Sequence, residues 1–256
     1  MRWPGAAVAR HEFRVIATMP GLAIFGIVLP IVLVSMIKSL LTGTVGSGGA
    51  GGAGGVQIAV PGIAVAFAAF GAGRLGFAFF RDQAWGTWDR LRASPASTLE
   101  IVVGKLLPWA ALSLVQMLGL ILVAAALFGF RVRGSWPALV ILLLGTATCL
   151  TAFGALLTAF SRTSQQLNVV NGVCGVALAA LGGALVPTSA LPHWVAVVAP
   201  ATPTYWALQG LHRVVLQRGG LADAAVPILA LLAFTAGFAV LAAYRFRFEE
   251  SKVYWG

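Results

Sequence analysis

Long apolar stretches, separated by short polar segments, dominate the chain from residue 20 onwards. The hydrocarbon core of a bilayer is about 30 Å thick, and about 20 consecutive apolar residues in a helix cross it. The pattern therefore predicts an all-α membrane protein with six transmembrane helices in a single domain over residues 1–256. The predicted spans are 20–41, 57–80, 101–128, 136–160, 165–187 and 225–245.

Short motifs mark the points at which several of these helices should begin. Ser97 followed by Glu100 is a capping box in front of the third span, and Thr163 with Gln166 repeats the pattern before the fifth. Helix-starting residues also precede the fourth and sixth spans, namely Ser135 with Pro137, and Asp223. The glycine-rich stretch 43–55, in contrast, is expected to form a flexible loop.

Two segments outside the spans have the pattern of membrane-interface structure. Residues 1–19 mix apolar and charged side chains, which favours a helix lying in the interface; a solvated tail is the alternative. The segment 188–222 is apolar but interrupted by prolines, and its aromatic residues suit an interface. We expect a re-entrant hairpin of short helices in the outer leaflet here. Its candidate outer-gate residues are Pro192, Trp194, Pro200, Pro203 and Tyr205.

Composition supports the membrane assignment. The chain is 59% hydrophobic and 9% charged, whereas a soluble domain is about 25% charged, and disorder requires low hydrophobicity. With six spans, eleven of the seventeen basic residues fall on the side of the two termini and five on the other side. The positive-inside rule then places both termini in the cytoplasm. The excess positive charge is expected to meet anionic lipid rather than nucleic acid.

The chain lacks the side-chain patterns of a membrane enzyme. None of its seven acidic residues is expected deep in a span, and no nucleophile–base pair, metal-ligand cluster or phosphate-binding P-loop is present in the sequence. Residues 71–76 match G-x-G-x-x-G, but they fall inside a predicted membrane helix. Small residues there are expected to let helices pack closely rather than to bind a dinucleotide. We therefore expect no catalytic and no metal site.

The loop between the second and third spans is the most informative polar segment. If residues 82–92 form a short helix, Trp85, Trp88 and Arg92 lie along one face, and Pro95 ends the element. Two tryptophans on a short cytoplasmic helix are costly to leave in water. The face is expected either to anchor in lipid headgroups or, as we favour, to dock on a cytoplasmic partner.

A few polar residues interrupt the spans and are candidates for a substrate path: Arg74, Gln116, Thr148, Asn168 and Asn171. The amides and hydroxyls equally suit helix-to-helix hydrogen bonds. Arg74 is the one cation expected to be buried within a span, and it is expected either to extend towards the cytoplasmic edge or to face the path and meet an anionic substrate.

Over nearly its whole length the chain resembles the membrane subunit of an ABC-2 type transporter, in the daunorubicin-resistance permease branch. The residues that carry the resemblance are Pro61-Gly62, Asp82, Gly86, Asp89-Arg90, Arg92, Ser94-Pro95-Ala-Ser97, Gly104-Lys105, Pro192-His-Trp194, Pro200 and Pro203-Thr-Tyr205. One departure is Asp82, because many members carry a glutamate pair there.

The resemblance implies a permease subunit of an exporter that works with a second permease subunit and a separate ABC ATP-binding subunit. ATP and Mg would bind to that partner, so this chain would need no cofactor. The resemblance implies a coupling helix in the loop between the second and third spans. Together with the tryptophan face described above, it makes the candidates for coupling to the ATPase Asp82, Trp85, Gly86, Trp88, Asp89, Arg90, Arg92 and Pro95. The apolar path favours a drug, antibiotic or lipid-like cargo; the alternatives are a polysaccharide or lipid-linked glycan exporter, or a non-ABC channel or scaffold.

Overall fold

The computed structural model describes residues 4–44, 51–86, 97–184 and 193–245, and the chain in these ranges is helical. A 3-10 turn at Ala199–Ala201 separates two of the helices. The helices are α1 (Pro4–Ala17), α2 (Pro20–Thr44), α3 (Gly51–Gly71), α4 (Arg74–Ala84), α5 (Thr98–Phe128), α6 (Trp136–Phe160), α7 (Ser164–Leu181), α8 (His193–Val198), α9 (Pro203–Leu216) and α10 (Leu221–Arg245).

Four segments of the described chain are long and apolar enough to cross a membrane. They are Gly55–Asp82, Glu100–Phe128, Trp136–Phe160 and Leu221–Arg245. In α2, the described apolar segment is shorter and covers Gly26–Lys38. The helix α7 is not among the four, and its first half carries several amide side chains. The all-helical membrane architecture therefore holds, with four candidate spans.

The glycine-rich stretch differs from the predicted loop over 43–55. The helix α2 extends to Thr44 and α3 already begins at Gly51, while residues 45–50 lie outside the described ranges. Glycine is a poor helix former. In an apolar environment, however, a helix satisfies backbone N–H and C=O groups that would otherwise lack partners. That requirement favours the helix from Gly55 onwards, where the candidate span begins.

The predicted second span is two helices, because the chain breaks between α3 and α4 at Ala72 and Gly73. A Cβ on Gly73 would lie 2.6 Å from the Asn171 side chain of α7. A Cβ on Gly154 of α6 would lie 1.9 Å from the Ala72 carbonyl oxygen. These contacts confirm that the G-x-G-x-x-G residues serve close helix packing, although they lie at a helix break rather than inside one helix.

The predicted helix starts are realised in different ways. At α5 the capping box is confirmed: the Ser97 hydroxyl accepts from the Glu100 N–H, and the Glu100 carboxylate accepts from the Ser97 N–H. Thr163 caps α7, but the Gln166 side chain accepts from Arg162 instead of completing the box. At α6, Ser135 makes no capping bond through its side chain. At α10, Asp223 accepts from the Gly220 N–H within the first turn.

The helices form one packed bundle with two distinct ends. At one end, called the α1 end, α1 packs on the start of α5 so closely that a Cβ on Gly104 would lie 2.7 Å from the Gly5 carbonyl. At the opposite end, the turn before α6 is joined to the end of α9 by a hydrogen bond from Ser135 N–H to the Gly219 carbonyl. Leu142 and Leu211 lie in the fully buried core between the two ends.

Candidate coupling and ligand sites

Four charged side chains meet where α1, α4 and α5 converge, and we call them the charge cluster: Glu12, Arg81, Asp82 and Lys105. Lys105 Nζ lies 3.2 Å from Glu12 Oε1 and also donates to the Asp82 carboxylate. Arg81 Nη2 lies 3.3 Å from each oxygen of Glu12. The two positive and two negative charges therefore form a closed, neutral network.

The charge cluster is buried. Glu12 and Lys105 are each 1% exposed and Asp82 is 7% exposed. Lys105 also lies over the Phe79 ring, 5.0 Å from its centroid. Because a buried charge without a partner is strongly destabilising, each helix needs the other two in place. The end of α4 is thus tied to α1 and to the start of α5.

The predicted coupling loop connects α4 to α5, and both of these helices contribute side chains to the charge cluster. Gly86 has a φ of 64°, a left-handed conformation that commonly terminates helices. Trp85 is 74% exposed, and its ring lies 5.9 Å from the Arg81 guanidinium. The structure therefore differs from the single helix predicted over 82–92, since α4 ends at Ala84. The coupling candidates Trp88, Asp89, Arg90, Arg92 and Pro95 lie outside the described residues.

A second polar site lies between α3, α4, α5 and α6. Arg74 Nη1 donates to Gln116 Oε1 at 3.0 Å. Gln116 is eleven residues beyond Lys105 on α5, which is about 16 Å further from the α1 end. The guanidinium therefore points into the bundle instead of towards that end. Trp109, Ser113 and Thr151 also line the open cleft around it.

Trp109 brings an unused hydrogen-bond donor to this cleft. Its Nε1 is buried and has no acceptor among the described residues. Buried polar groups in proteins are nearly always hydrogen-bonded. The cleft, which we call the Arg74 cleft, is thus lined by a guanidinium and by an indole whose N–H is unpaired among the described residues.

An adjoining space lies between α2, α3 and α5 and is called the apolar cleft. It is an open groove lined by Pro30, Phe67, Met117 and other mainly apolar residues. The two clefts share Ala68, Ser113 and Gln116 in their walls. A polar and an apolar space therefore meet at Gln116.

Comparison with known families decides what kind of protein carries these two sites. The family model described as ABC-2 type transporter matches residues 6–216, which include the charge cluster and both clefts. The chain belongs to the ABC-2 type transporter family. Together with the four apolar spans, this makes it a multi-pass membrane protein and a membrane component for transport. Such permeases normally work with an ATP-binding subunit. A search of curated proteins finds no match.

Two of the predicted path residues of this ABC-2 permease come together, and three lie elsewhere. Arg74 and Gln116 share one cleft. The Thr148 hydroxyl donates to the Leu144 carbonyl of its own helix at 2.9 Å. Asn171 Nδ2 donates to the Phe70 carbonyl at 2.9 Å and so joins α7 to α3. Asn168 is exposed on the surface of α7.

The outer-gate candidates that the structure describes lie on or next to α8 and α9. Trp194 is 65% exposed on α8, whereas Pro203 is buried at the start of α9. The Pro200 carbonyl accepts from Trp206 Nε1 at 2.8 Å. The Tyr205 hydroxyl accepts from Gln209 at 2.7 Å. Pro192 lies outside the described residues.

Sequence reasoning missed most of the charge cluster. Glu12 had no assigned role, and Asp82 was expected to contact a partner, yet both carboxylates are buried inside the permease. The available signal was Lys105, a lysine within the predicted third span. A lysine in an apolar run either reaches the membrane interface or pairs with an acceptor such as a carboxylate. Trp109 was also missed, because an indole donor without an acceptor has no signature in the sequence.

Proposed function

We propose that the chain is the permease subunit of an ATP-driven exporter in the cytoplasmic membrane. It moves a hydrophobic or amphipathic molecule, drug-like or lipid-like, and a separate ATP-binding subunit supplies the energy. The family match supports the transport role. The observation that carries the coupling mechanism is the buried charge cluster next to the loop over 87–96.

The cluster supports a mechanical role for this loop. The loop joins the end of α4 to the capped start of α5, and both helices contribute charges to the cluster. A displacement of the loop by a partner cannot move α4 alone without breaking buried ion pairs. It instead moves α4, α5 and, through Glu12, α1 as a unit. ATP-driven closure under this end would in this way rock the helices and alternate access to the path.

We further propose six membrane passes with both termini in the cytoplasm and a re-entrant segment over 188–222, in the manner of the daunorubicin-resistance branch. The α1 end is then cytoplasmic. The surface of α7 supports pairing with a second permease subunit, because it exposes the amide of Asn168, and Gly172 has no neighbour within 4 Å of its Cβ position. An exposed amide within the membrane is better placed against protein or an aqueous path than against lipid.

The test is reconstitution with the candidate ATP-binding subunit in nanodiscs. Trp85→Ala removes an exposed ring beside the loop, and Trp194→Ala is the matched control, because Trp194 is a similarly exposed tryptophan on α8. Since large aromatic side chains dominate docking surfaces, Trp85→Ala should reduce co-purification of the ATP-binding subunit and the stimulation of ATP hydrolysis by the permease. Trp194→Ala should leave co-purification of the ATP-binding subunit unchanged. Trp88→Ala and Arg90→Glu extend the series along the loop.

Equal effects of Trp85→Ala and Trp194→Ala on subunit binding would contradict docking at this loop. Cargo movement by the chain alone, without nucleotide, would instead show a channel. Transport assays that compare an amphipathic dye with a lipid-linked oligosaccharide distinguish the proposed cargo from a glycan.

A further inference from the structure

We propose that the Arg74 cleft binds the anionic head of an amphipathic molecule and that the apolar cleft next to it holds the apolar part. The proposal deepens the exporter function by naming a ligand class. The binding itself requires no ATP-binding subunit, so the two proposals can fail separately.

The first argument is an excess of hydrogen-bond donors. A guanidinium has five N–H donors and no acceptor. One N–H of Arg74 is bonded to the neutral amide of Gln116, and Trp109 Nε1 has no acceptor among the described residues. The Thr151 hydroxyl, also in the wall, already donates to the Ala147 carbonyl. An anion with several oxygen atoms would supply acceptors for the N–H groups of Arg74 that Gln116 does not engage.

The second argument is that nothing in the described chain neutralises Arg74. The described ranges of the chain contain four acidic residues, and all four are engaged elsewhere. Glu12 and Asp82 lie in the charge cluster, Glu100 in the α5 cap and Asp223 at the start of α10. An arginine in a membrane-spanning segment is costly without a partner. Its planar fork is suited to binding a carboxylate or phosphate through two parallel hydrogen bonds.

The third argument comes from the apolar cleft, which continues from the polar one at Gln116. Its wall includes Phe67, Met117 and Leu120, with Gly26 and Pro30 on the facing helix α2. Binding sites for small molecules commonly combine an apolar enclosure with a few convergent polar groups. An alkyl or aromatic body in this cleft would place an attached anionic group at Arg74. The pair of spaces thus selects an amphipathic anion over a small inorganic one.

Two sources can supply this chemistry: a bilayer lipid with a phosphate head, or an amphipathic anion that is cargo. The experiment measures saturable binding of radiolabelled dodecyl phosphate to the full chain in phosphatidylcholine nanodiscs, with empty nanodiscs as background. The wild-type chain should bind dodecyl phosphate. Dodecanoate should displace the bound ligand, whereas dodecylamine or inorganic phosphate at equal concentration should not.

Three variants locate the site. Arg74→Gln should weaken binding by about tenfold or more, because a charged hydrogen bond contributes about 1.5–3 kcal/mol. Trp109→Phe keeps a ring, removes only the N–H, and should weaken binding by about threefold to tenfold. Arg133→Gln is the matched control, since Arg133 is an exposed arginine in the turn before α6, and it should bind as the wild type does. Size-exclusion profiles and melting temperatures verify folding, and Trp109→Phe decides the question if Arg74→Gln does not fold.

Repeating the dodecyl phosphate titration in phosphatidylglycerol nanodiscs distinguishes a site for a bilayer lipid from a site for cargo. A bilayer lipid in the cleft would compete and weaken dodecyl phosphate binding to wild type but not to Arg74→Gln, whereas a cargo site would keep its affinity. Absence of saturable binding, or equal binding by wild type and both cleft variants, would overturn the proposal. Intact ATPase stimulation after the ATP-binding subunit is added to the same nanodiscs would then show that the exporter function survives.

Discussion

Removing Lys105 should be the most damaging single change in the charge cluster. At 3.2 Å between Lys105 Nζ and Glu12 Oε1, the attraction at an effective dielectric constant of about 20 is about 5 kcal/mol. Lys105→Met also deprives Asp82 of its ammonium partner and leaves Arg81 shared by two buried carboxylates. Breaking a buried ion pair costs about 3–5 kcal/mol. We expect the melting temperature to fall by roughly 10 °C.

A double-mutant cycle tests whether charge balance is the reason. Lys105→Met leaves the cluster with a net negative charge and Glu12→Gln leaves it positive, whereas the double variant is neutral. The double variant should therefore melt no lower than Lys105→Met alone, with a coupling energy of at least about 1 kcal/mol. Lys38→Met is the matched control; it removes a half-buried lysine that lies 5.5 Å from the Phe128 ring centroid.

The measurement is thermal unfolding of the purified chain in one detergent, followed by tryptophan fluorescence and by loss of the size-exclusion peak. Lys38→Met should lower stability by less than Lys105→Met does, because Lys38 is only half-buried and lies outside the charge cluster. Additive losses in the double variant, or a Lys105→Met chain as stable as the control, would refute the neutral network.

Three further changes have outcomes set by local contacts. Gly154→Ala should destabilise the chain severely, because its Cβ would lie 1.9 Å from a backbone carbonyl oxygen. Gly172→Ala has open space around its Cβ, so it should be neutral or stabilise α7 by up to about 1 kcal/mol. Thermal melting compares the two variants. Ser97→Ala should cost about 0.5–2 kcal/mol through the lost α5 cap in the same assay. Burial lowers the pKa of His212 from its usual 6.5, although a hydrogen bond to the Ile58 backbone opposes this. Its neutral form therefore stabilises the fold fully above pH 6.5, and that contribution is lost as pH falls through the lowered pKa. Melting curves of His212→Gln should be correspondingly less sensitive to acid.

The apolar pattern predicted helices well because the thickness of a bilayer sets their length. The predicted span 136–160 coincides with α6, and the predicted span 101–128 differs from α5 by three residues at its start. The break at Ala72 and Gly73 was not predictable in this way. It depends on Gly154 of α6, about eighty residues along the chain, and no local pattern encodes that approach.

The two sites were harder to predict because their chemistry is distributed over distant helices. Glu12 and Lys105 are 93 residues apart in sequence and meet only in the folded bundle. In sequence, Glu12 is a charge on an amphipathic helix and Lys105 is a basic residue near the end of a span. Arg74 was recognisable as a cation in a span, but its pairing with Gln116 depends on how α4 packs on α5.

The placement of both sites on the same two helices links ligand binding to the coupling loop. The helix α4 is 11 residues long, is separated from α3 by the break, and carries Arg74 at one end and Asp82 near the other. Lys105 and Gln116 face these residues from α5. A shift of α4 driven from the loop therefore changes the position of Arg74 relative to Gln116. Because coupling between two binding sites is reciprocal, we expect dodecyl phosphate affinity to differ between the nucleotide-free complex and the complex with a non-hydrolysable ATP analogue. Lys105→Met should abolish that difference, and an affinity independent of nucleotide in the wild-type complex would contradict the linkage.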